Sequence, residues 1–165
     1  MPDVTVRTAD PDDALAIIAV KQAAIDELAA SAYTADQRAA WAPDDAAIEE
    51  FRDALSADTF QVLVAVDDDR VVGYGVLNAA EASIDALFVR PFWARLGIAT
   101  RLLAQLEMSA TFAGCESLSA VVSRNAVDFY EQAGYEQIES RTRTMDDVDV
   151  EFTYMEKALS NGSTP

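Results

Sequence analysis

The chain has 165 residues, 51% of them hydrophobic, with 29 acidic residues against 12 basic ones and a formal net charge of −17. That length fits one compact domain with a sizeable core, and no apolar run approaches the roughly 18 residues of a membrane span. No histidine and a single cysteine, Cys115, exclude a His-based triad, a structural zinc site and an internal disulfide framework, and the acidic excess disfavours nucleic acid, which needs a basic patch.

Val4 to Arg7 reads as a short strand. Asp10-Pro11-Asp12-Asp13 then opens a helix, with Asp10 as cap, Pro11 at the first helical position and acids in the first turn. Leu15, Ile18, Ile25 and Leu28 predict its apolar face, to about residue 30. Thr34-Ala35-Asp36-Gln37 has capping-box spacing and predicts a second helix carrying Arg38 and Trp41. Pro43-Asp44-Asp45 punctuates, and Ile48, Phe51, Arg52 and Leu55 follow at helical spacing.

Phe60 to Val66 is a nearly continuous apolar strand. Asp67-Asp68-Asp69-Arg70 turns the chain, and Val71 to Leu77 returns as a hairpin. Ile84 to Val89 is a third strand of this group. A loop leads into a helix from near Ile98 to about Phe112, with Gly114 as its C-terminal cap. Leu118 to Val122 is a strand, and Asn125 to Ala133 a short helix closed by Gly134. Tyr135 to Thr144 and Val150 to Lys157 are two final strands about a turn at 145–149. Residues 1–159 read as a single domain and 160–165 as a disordered tail.

This order predicts an α/β fold with a mixed sheet. The central antiparallel hairpin argues against a doubly wound nucleotide fold. The glycines match neither G-x-G-x-x-G nor G-x-x-x-x-G-K-[ST]. The strand Leu87-Phe88-Val89 runs through Ala94-Arg95-Leu96-Gly97-Ile98-Ala99-Thr100 into a helix whose first turn lies in that loop. Such a start offers unpaired N–H groups and the positive end of the helix dipole, a phosphate site. Gly97 and Ala99 are small enough for an anion to approach the backbone; alternatively, Gly97 serves only the tight turn.

Acidic residues recur along the chain, and only Lys21 and Lys157 are lysines. Dispersed acid with scarce lysine reads as adaptation of the whole surface to high salt, as in halophilic archaea; the alternative is an acidic face for a cationic partner. Met1 to Arg7 lacks a basic region followed by an apolar stretch, so no signal peptide is expected. With the lone cysteine, this predicts a reducing, cytoplasmic compartment and no membrane association.

The chain resembles the GNAT superfamily of N-acetyltransferases. The family's acetyl-CoA signature, a strand, then [QR]-x-x-G-x-[GA], then a helix, is matched by Leu87-Phe88-Val89 and Ala94-Arg95-Leu96-Gly97-Ile98-Ala99. A second block is matched by Asn125-Ala126-Val127-Asp128-Phe129-Tyr130-Glu131-Gln132-Ala133-Gly134-Tyr135. The hairpin with Val72-Gly73-Tyr74-Gly75 matches the family's hairpin before the cofactor strand. Tyr33 to Trp41 is similar to a Tyr-x-x-x-Gln-x-x-x-Trp pattern of one bacterial and archaeal branch. One departure is Ala94, where the family has Gln or Arg; Arg95 offers a charge from the next position.

The resemblance implies a mostly antiparallel central sheet of about six to seven strands flanked by helices. It implies direct transfer of an acetyl group from acetyl-CoA to a primary amine of a small molecule or protein, with no metal. The backbone of Leu87, Phe88 and Val89 would pair with the pantetheine arm like an added strand, and an N–H near Val89 would polarise the acetyl carbonyl. Arg95, Leu96, Gly97, Ile98, Ala99 and Thr100 would cradle the pyrophosphate. Asn125 would contact the pantetheine, or cap its helix. Tyr130 would protonate the departing thiolate, or serve as a packed aromatic. The position of the family's glutamate base, five residues before Asn125, is Ala120. That leaves Asp85 and Glu81 as base candidates acting through water, or an amine that enters neutral; strand alternation puts Asp85 on Leu87's face. Tyr33 and Trp41 would line the acceptor pocket or anchor their helix. Cys115 reads as a small structural thiol. The alternatives are a non-catalytic acyl-CoA-binding regulator of the same fold and an interaction module using the acidic face. The last two strands could pair across a homodimer.

Overall fold

A computed structural model describes residues 3–43 and 46–159. The expected punctuation at Asp44-Asp45 and the expected disordered tail lie outside the described residues. Strands β1 (Val4–Thr8), β2 (Phe60–Asp67), β3 (Arg70–Asn78), β4 (Ser83–Val89), β5 (Ser117–Ser123), β6 (Glu136–Met145) and β7 (Val148–Ala158) form one seven-stranded sheet in the order β1-β2-β3-β4-β5-β7-β6. Neighbours are antiparallel except β4 and β5, which are parallel. Helices α1 (Ala14–Ala23), α2 (Ala35–Trp41), α3 (Ala46–Ser56), α4 (Ile98–Phe112) and α5 (Val127–Gln132) flank the sheet. None of the described helices is long and apolar enough to cross a membrane.

The apolar run of β2 follows from burial on both faces. Leu63 and Ala65 join Val72, Leu77 and the α4 residues Leu102, Leu103 and Leu106 in one cluster. Val62 and Val64 join Tyr74, Val76 and the α1 residues Ile17 and Val20 in another. Gly75 lets α4 seat directly on β3, because a Cβ there would lie 2.7 Å from Leu106 Cδ1. A third cluster holds Tyr33 against Phe152 and Val150 of β7.

Local signals act where the sequence places them. Asp10 accepts from the Asp12 N–H at 2.8 Å, and the Asp13 carboxylate accepts from the Asp10 N–H at 2.9 Å. Arg7 donates to both Asp13 oxygens and holds that carboxyl below the usual carboxylate range. Thr34 and Gln37 complete a reciprocal capping box. After α4, the Gly114 N–H donates to Thr111 and the Cys115 N–H to Ala110, a Schellman ending with Gly114 at φ 93°.

Three expectations change. Leu15 is 62% exposed, and burial falls on Ala14, Ile17, Ile18, Val20 and Ile25; at about 100° per residue Leu15 lies well round the helix from that stripe. The helix does run on past residue 23, but as a π segment, Ala24–Leu28, and a 3₁₀ turn, Ala29–Ser31. The last hairpin turns on Asp146 and Asp147 alone, at φ 49° and 62°, with Met145 already paired to Val148. Asp68 and Asp69 do the same at φ 51° and 65°. Asp tolerates the left-handed region that a two-residue turn needs, so these acidic pairs shape the chain as well as solvate it. Of the last two strands only β6 offers an open edge, since β7 is enclosed between β5 and β6.

Candidate active site

The site originates in a strand pair that fails to stay together. The parallel β4 and β5 share only the positions Ser83↔Ser119 and Ile84↔Ala120, after which they part. A bulge lies at the same place: Val76 pairs with Ala86 and Leu77 with Ile84, leaving Asp85 as the extra residue. Bulges bend a strand and shift its alternation. Ile84 and Leu87, three residues apart, therefore pack in the α4 cluster, while Ala86 and Phe88 pack in the α1 cluster. The simple alternation linking Asp85 to Leu87's face does not apply across this bulge.

Beyond the bulge, Leu87, Phe88 and Val89 pair with β3 alone. The Arg90 N–H donates to the Val72 carbonyl at 2.8 Å, so alternation turns the Val89 N–H away from β3, toward the gap. An open strand edge of this kind accepts an extended ligand.

A cavity of about 540 Å³ occupies the gap. Leu87, Phe88 and Val89 form one wall. Arg95, Gly97, Ile98, Ala99 and Thr100 form its end at the start of α4, and Asn125 and Tyr130 face it from the β5–α5 side. Ala94 lines it as well; Leu96, 43% exposed, does not. Arg95 at φ 64° and Gly97 at φ 82° turn the loop, and no side chain caps the first N–H groups of α4. A Cβ at Gly97 would meet nothing within 4 Å, so its left-handed backbone alone favours glycine. The π segment contributes Ala24 and Leu28 to the same cavity.

A second cavity, of about 660 Å³, adjoins the first and shares Trp41, Leu87, Phe88 and Tyr130 with it. Glu81 and Asp85 line this second cavity only, and Asp85 Oδ1 accepts from Ser83 Oγ at 2.6 Å. Tyr130 is 6% exposed, and burial first, then the charge of Glu107, push its phenol well above the ordinary tyrosine range. Glu107 is held by Tyr135 at 2.8 Å and by Lys157 at 3.1 Å.

Asn125 sits exposed inside the 3₁₀ turn Arg124–Ala126 and caps no helix. Tyr33 lines neither cavity. It is buried, accepts from the Arg124 N–H at 2.9 Å and donates to the Glu151 carbonyl. It thereby ties α2 and β7 to the turn that carries Asn125, while Trp41 reaches both cavities. Ala120 is buried at the closed end of the gap. Cys115 lies outside both cavities, with its thiol 3.6 Å from the Ala79 carbonyl. Lys21, Arg141 and Arg143 also line the second cavity; no sequence motif marks them, and the signal that could is their rarity as basic residues in so acidic a chain.

The family model of the acetyltransferase (GNAT) domain matches residues 29–159. The chain belongs to the GNAT acetyltransferase family. It is 29% identical over 141 residues to the uncharacterized N-acetyltransferase YafP of Escherichia coli K12, covering 86% of this chain and 87% of that protein. A GCN5-related N-acetyltransferase from Rhodopseudomonas palustris is 29% identical and superposes with a TM-score of 0.88 over 96% of each chain. The PaiA N-acetyltransferase of Thermoplasma acidophilum, solved with coenzyme A, has 20% identity and a TM-score of 0.78, covering 95% of this chain and 99% of that one. The GNAT fold of this chain thus has a seven-stranded sheet opened between β4 and β5.

Proposed function

We propose that this GNAT member transfers the acetyl group of acetyl-CoA to a primary amine of a small molecule or protein, by direct attack in a ternary complex. The observation that carries this reading is the open edge Leu87–Val89, which leads to the uncapped start of α4 and meets a second cavity at Tyr130. The chain offers the donor a strand edge for its extended arm and free N–H groups for its pyrophosphate, with Arg95 and Asn125 beside them. Acetyl-CoA supplies the acetyl group as a thioester. The Val89 N–H faces the acyl oxygen and stabilises negative charge there. As the amine nitrogen bonds to the acyl carbon and the C–S bond breaks, Tyr130 gives its proton to the sulfur and is reprotonated from solvent. Asp85 or Glu81 takes the amine proton through water. We read residues 1–159 as one such domain, acting in the cytoplasm, with β6 the edge for a homodimer formed through the last two strands.

Calorimetric titration with acetyl-CoA in molar KCl should show binding, and Gly97→Val should weaken it about tenfold or more, since a branched side chain disfavours φ 82°. Acetylation of an amine panel then completes the test. Binding without transfer to any amine would favour the regulator, a reading to which Ala94 and Ala120 lend support. Absence of binding by folded protein would refute both.

We also propose that the dispersed acid is an adaptation to high salt. Asp13 is the one charged residue buried among the described residues, so the acidic excess sits at the surface and repels itself. The melting temperature should rise from dilute buffer to molar KCl; equal values would remove this reading.

A further inference from the structure

In a chain with 29 acids and 12 bases, the second cavity gathers Lys21, Arg141 and Arg143. They surround an aromatic floor. Phe88, Trp41 and Phe152 follow one another with ring centroids 6.0 and 5.2 Å apart. Lys21 Nζ lies 5.7 Å from the Phe88 centroid at one end, and the Arg143 guanidinium 5.4 Å from that of Phe152 at the other. Arg141 stacks 3.8 Å over Tyr154 and pairs with Glu139. Among the described residues, neither Lys21 nor Arg143 has a carboxylate partner. Burial and the facing charge of Arg143 both hold the Lys21 ammonium below the usual lysine range, and no carboxylate offsets them.

Glu81 and Asp85 line the same cavity but pair with neither Lys21 nor Arg143, and Asp85 is held instead by Ser83. Two like charges facing each other there leave a site that a bound anion relieves. The anion would accept charge-assisted hydrogen bonds from Lys21 and a fork of them from Arg143. The same cavity reaches Phe88 and Tyr130 at the gap in the sheet. We infer that the acceptor is an amine carrying an oxyanion, a carboxylate or a phosphate, held by Lys21 and Arg143 over the Phe88–Trp41–Phe152 floor. This assignment rests on the acetyltransferase reading for the identity of the amine; the anion site itself rests on the cavity.

The experiment uses matched pairs, phenylalanine against phenethylamine and phosphoethanolamine against ethanolamine, titrated calorimetrically into CoA-loaded protein at a KCl concentration that keeps it folded. The anionic member of at least one pair should bind about tenfold or more tightly than its neutral partner; which pair responds separates carboxylate from phosphate. Lys21→Met and Arg143→Met should each abolish that preference, and Arg143→Lys should restore part of it. The affinity for acetyl-CoA should stay unchanged in all three variants, which also reports that they fold. Equal binding within both pairs overturns the inference. So does a loss of acetyl-CoA affinity in variants that keep the parent's melting temperature, because the cations would then serve the donor. Turnover with the same amines decides the underlying reading separately. Selective anion binding with no acetylation of any amine removes the acetyltransferase reading, and the acceptor assignment with it. Acetylation without anion preference removes the inference alone.

Discussion

Tyr130→Phe should lower kcat by about 10²-fold or more while leaving the affinity for acetyl-CoA nearly unchanged. The phenol lies where the two cavities meet, and its hydroxyl has no hydrogen-bond partner among the described residues. Its ring packs edge-on against Phe129 and Tyr135, with centroids 5.3 and 5.2 Å away. Phenylalanine keeps both contacts, so the substitution removes a proton donor and little else, and the melting temperature should barely move. The direction of the pKa shift supports an acid rather than a base. Burial and Glu107 disfavour the phenolate, so Tyr130 stays protonated through neutral pH and beyond the ordinary phenol range. Any loss of kcat at alkaline pH caused by its ionisation therefore falls above pH values where a free phenol would ionise. Steady-state kinetics on the best acceptor provides the measurement, and an unchanged kcat would leave Tyr130 as a packed aromatic only.

Gly75→Val should cost about 2–3 kcal/mol of stability through overpacking, a fall in melting temperature of roughly 5–10 °C for a domain of this size. The first carbon added would lie 2.7 Å from Leu106 Cδ1 and 3.3 Å from Leu87 Cδ1. Leu106 is fully buried, so it has no solvent to swing into. Relief requires α4 to rise from β3. Because the N-terminus of α4 forms one end of the first cavity, acetyl-CoA affinity should fall together with stability. Denaturant unfolding in molar KCl provides the measurement. Adding Leu106→Ala to Gly75→Val should recover part of the loss, since the two positions share one contact. A Gly75→Val protein as stable as the parent would show that the helix does not seat this closely.

Much of this architecture was legible because its causes are local. Asp10-Pro11, the Thr34 and Gln37 pair, Gly114 and Gly134 act within a few residues of themselves, and each marks a boundary in the structure. The apolar run at β2 shows its two covered faces directly. The motif around Gly97 was legible for the same reason, since strand, turn and helix start are consecutive in the chain. The π segment after α1 was not, because its residues are as helix-compatible as those before them.

Roles that depend on distant neighbours stay open in the sequence. Nothing near Tyr33 in sequence reveals that its hydroxyl bridges Glu151 and Arg124. Asp85 reads as an alternating strand residue until pairing with β3 makes it the bulge. Lys21 and Arg143 belong to a helix and a strand far apart in the chain, and only the packing of that helix on the assembled sheet sets them at the two ends of one aromatic floor. By itself the sequence determined the order of elements, their caps and turns, the acidic surface and the family motifs, all of which follow from short-range sterics, hydrogen bonding and composition. The tertiary structure alone decided where β4 and β5 part, which side chains line the two cavities and which charges meet there. Those depend on pairing register and packing between segments that the order of residues leaves unconnected.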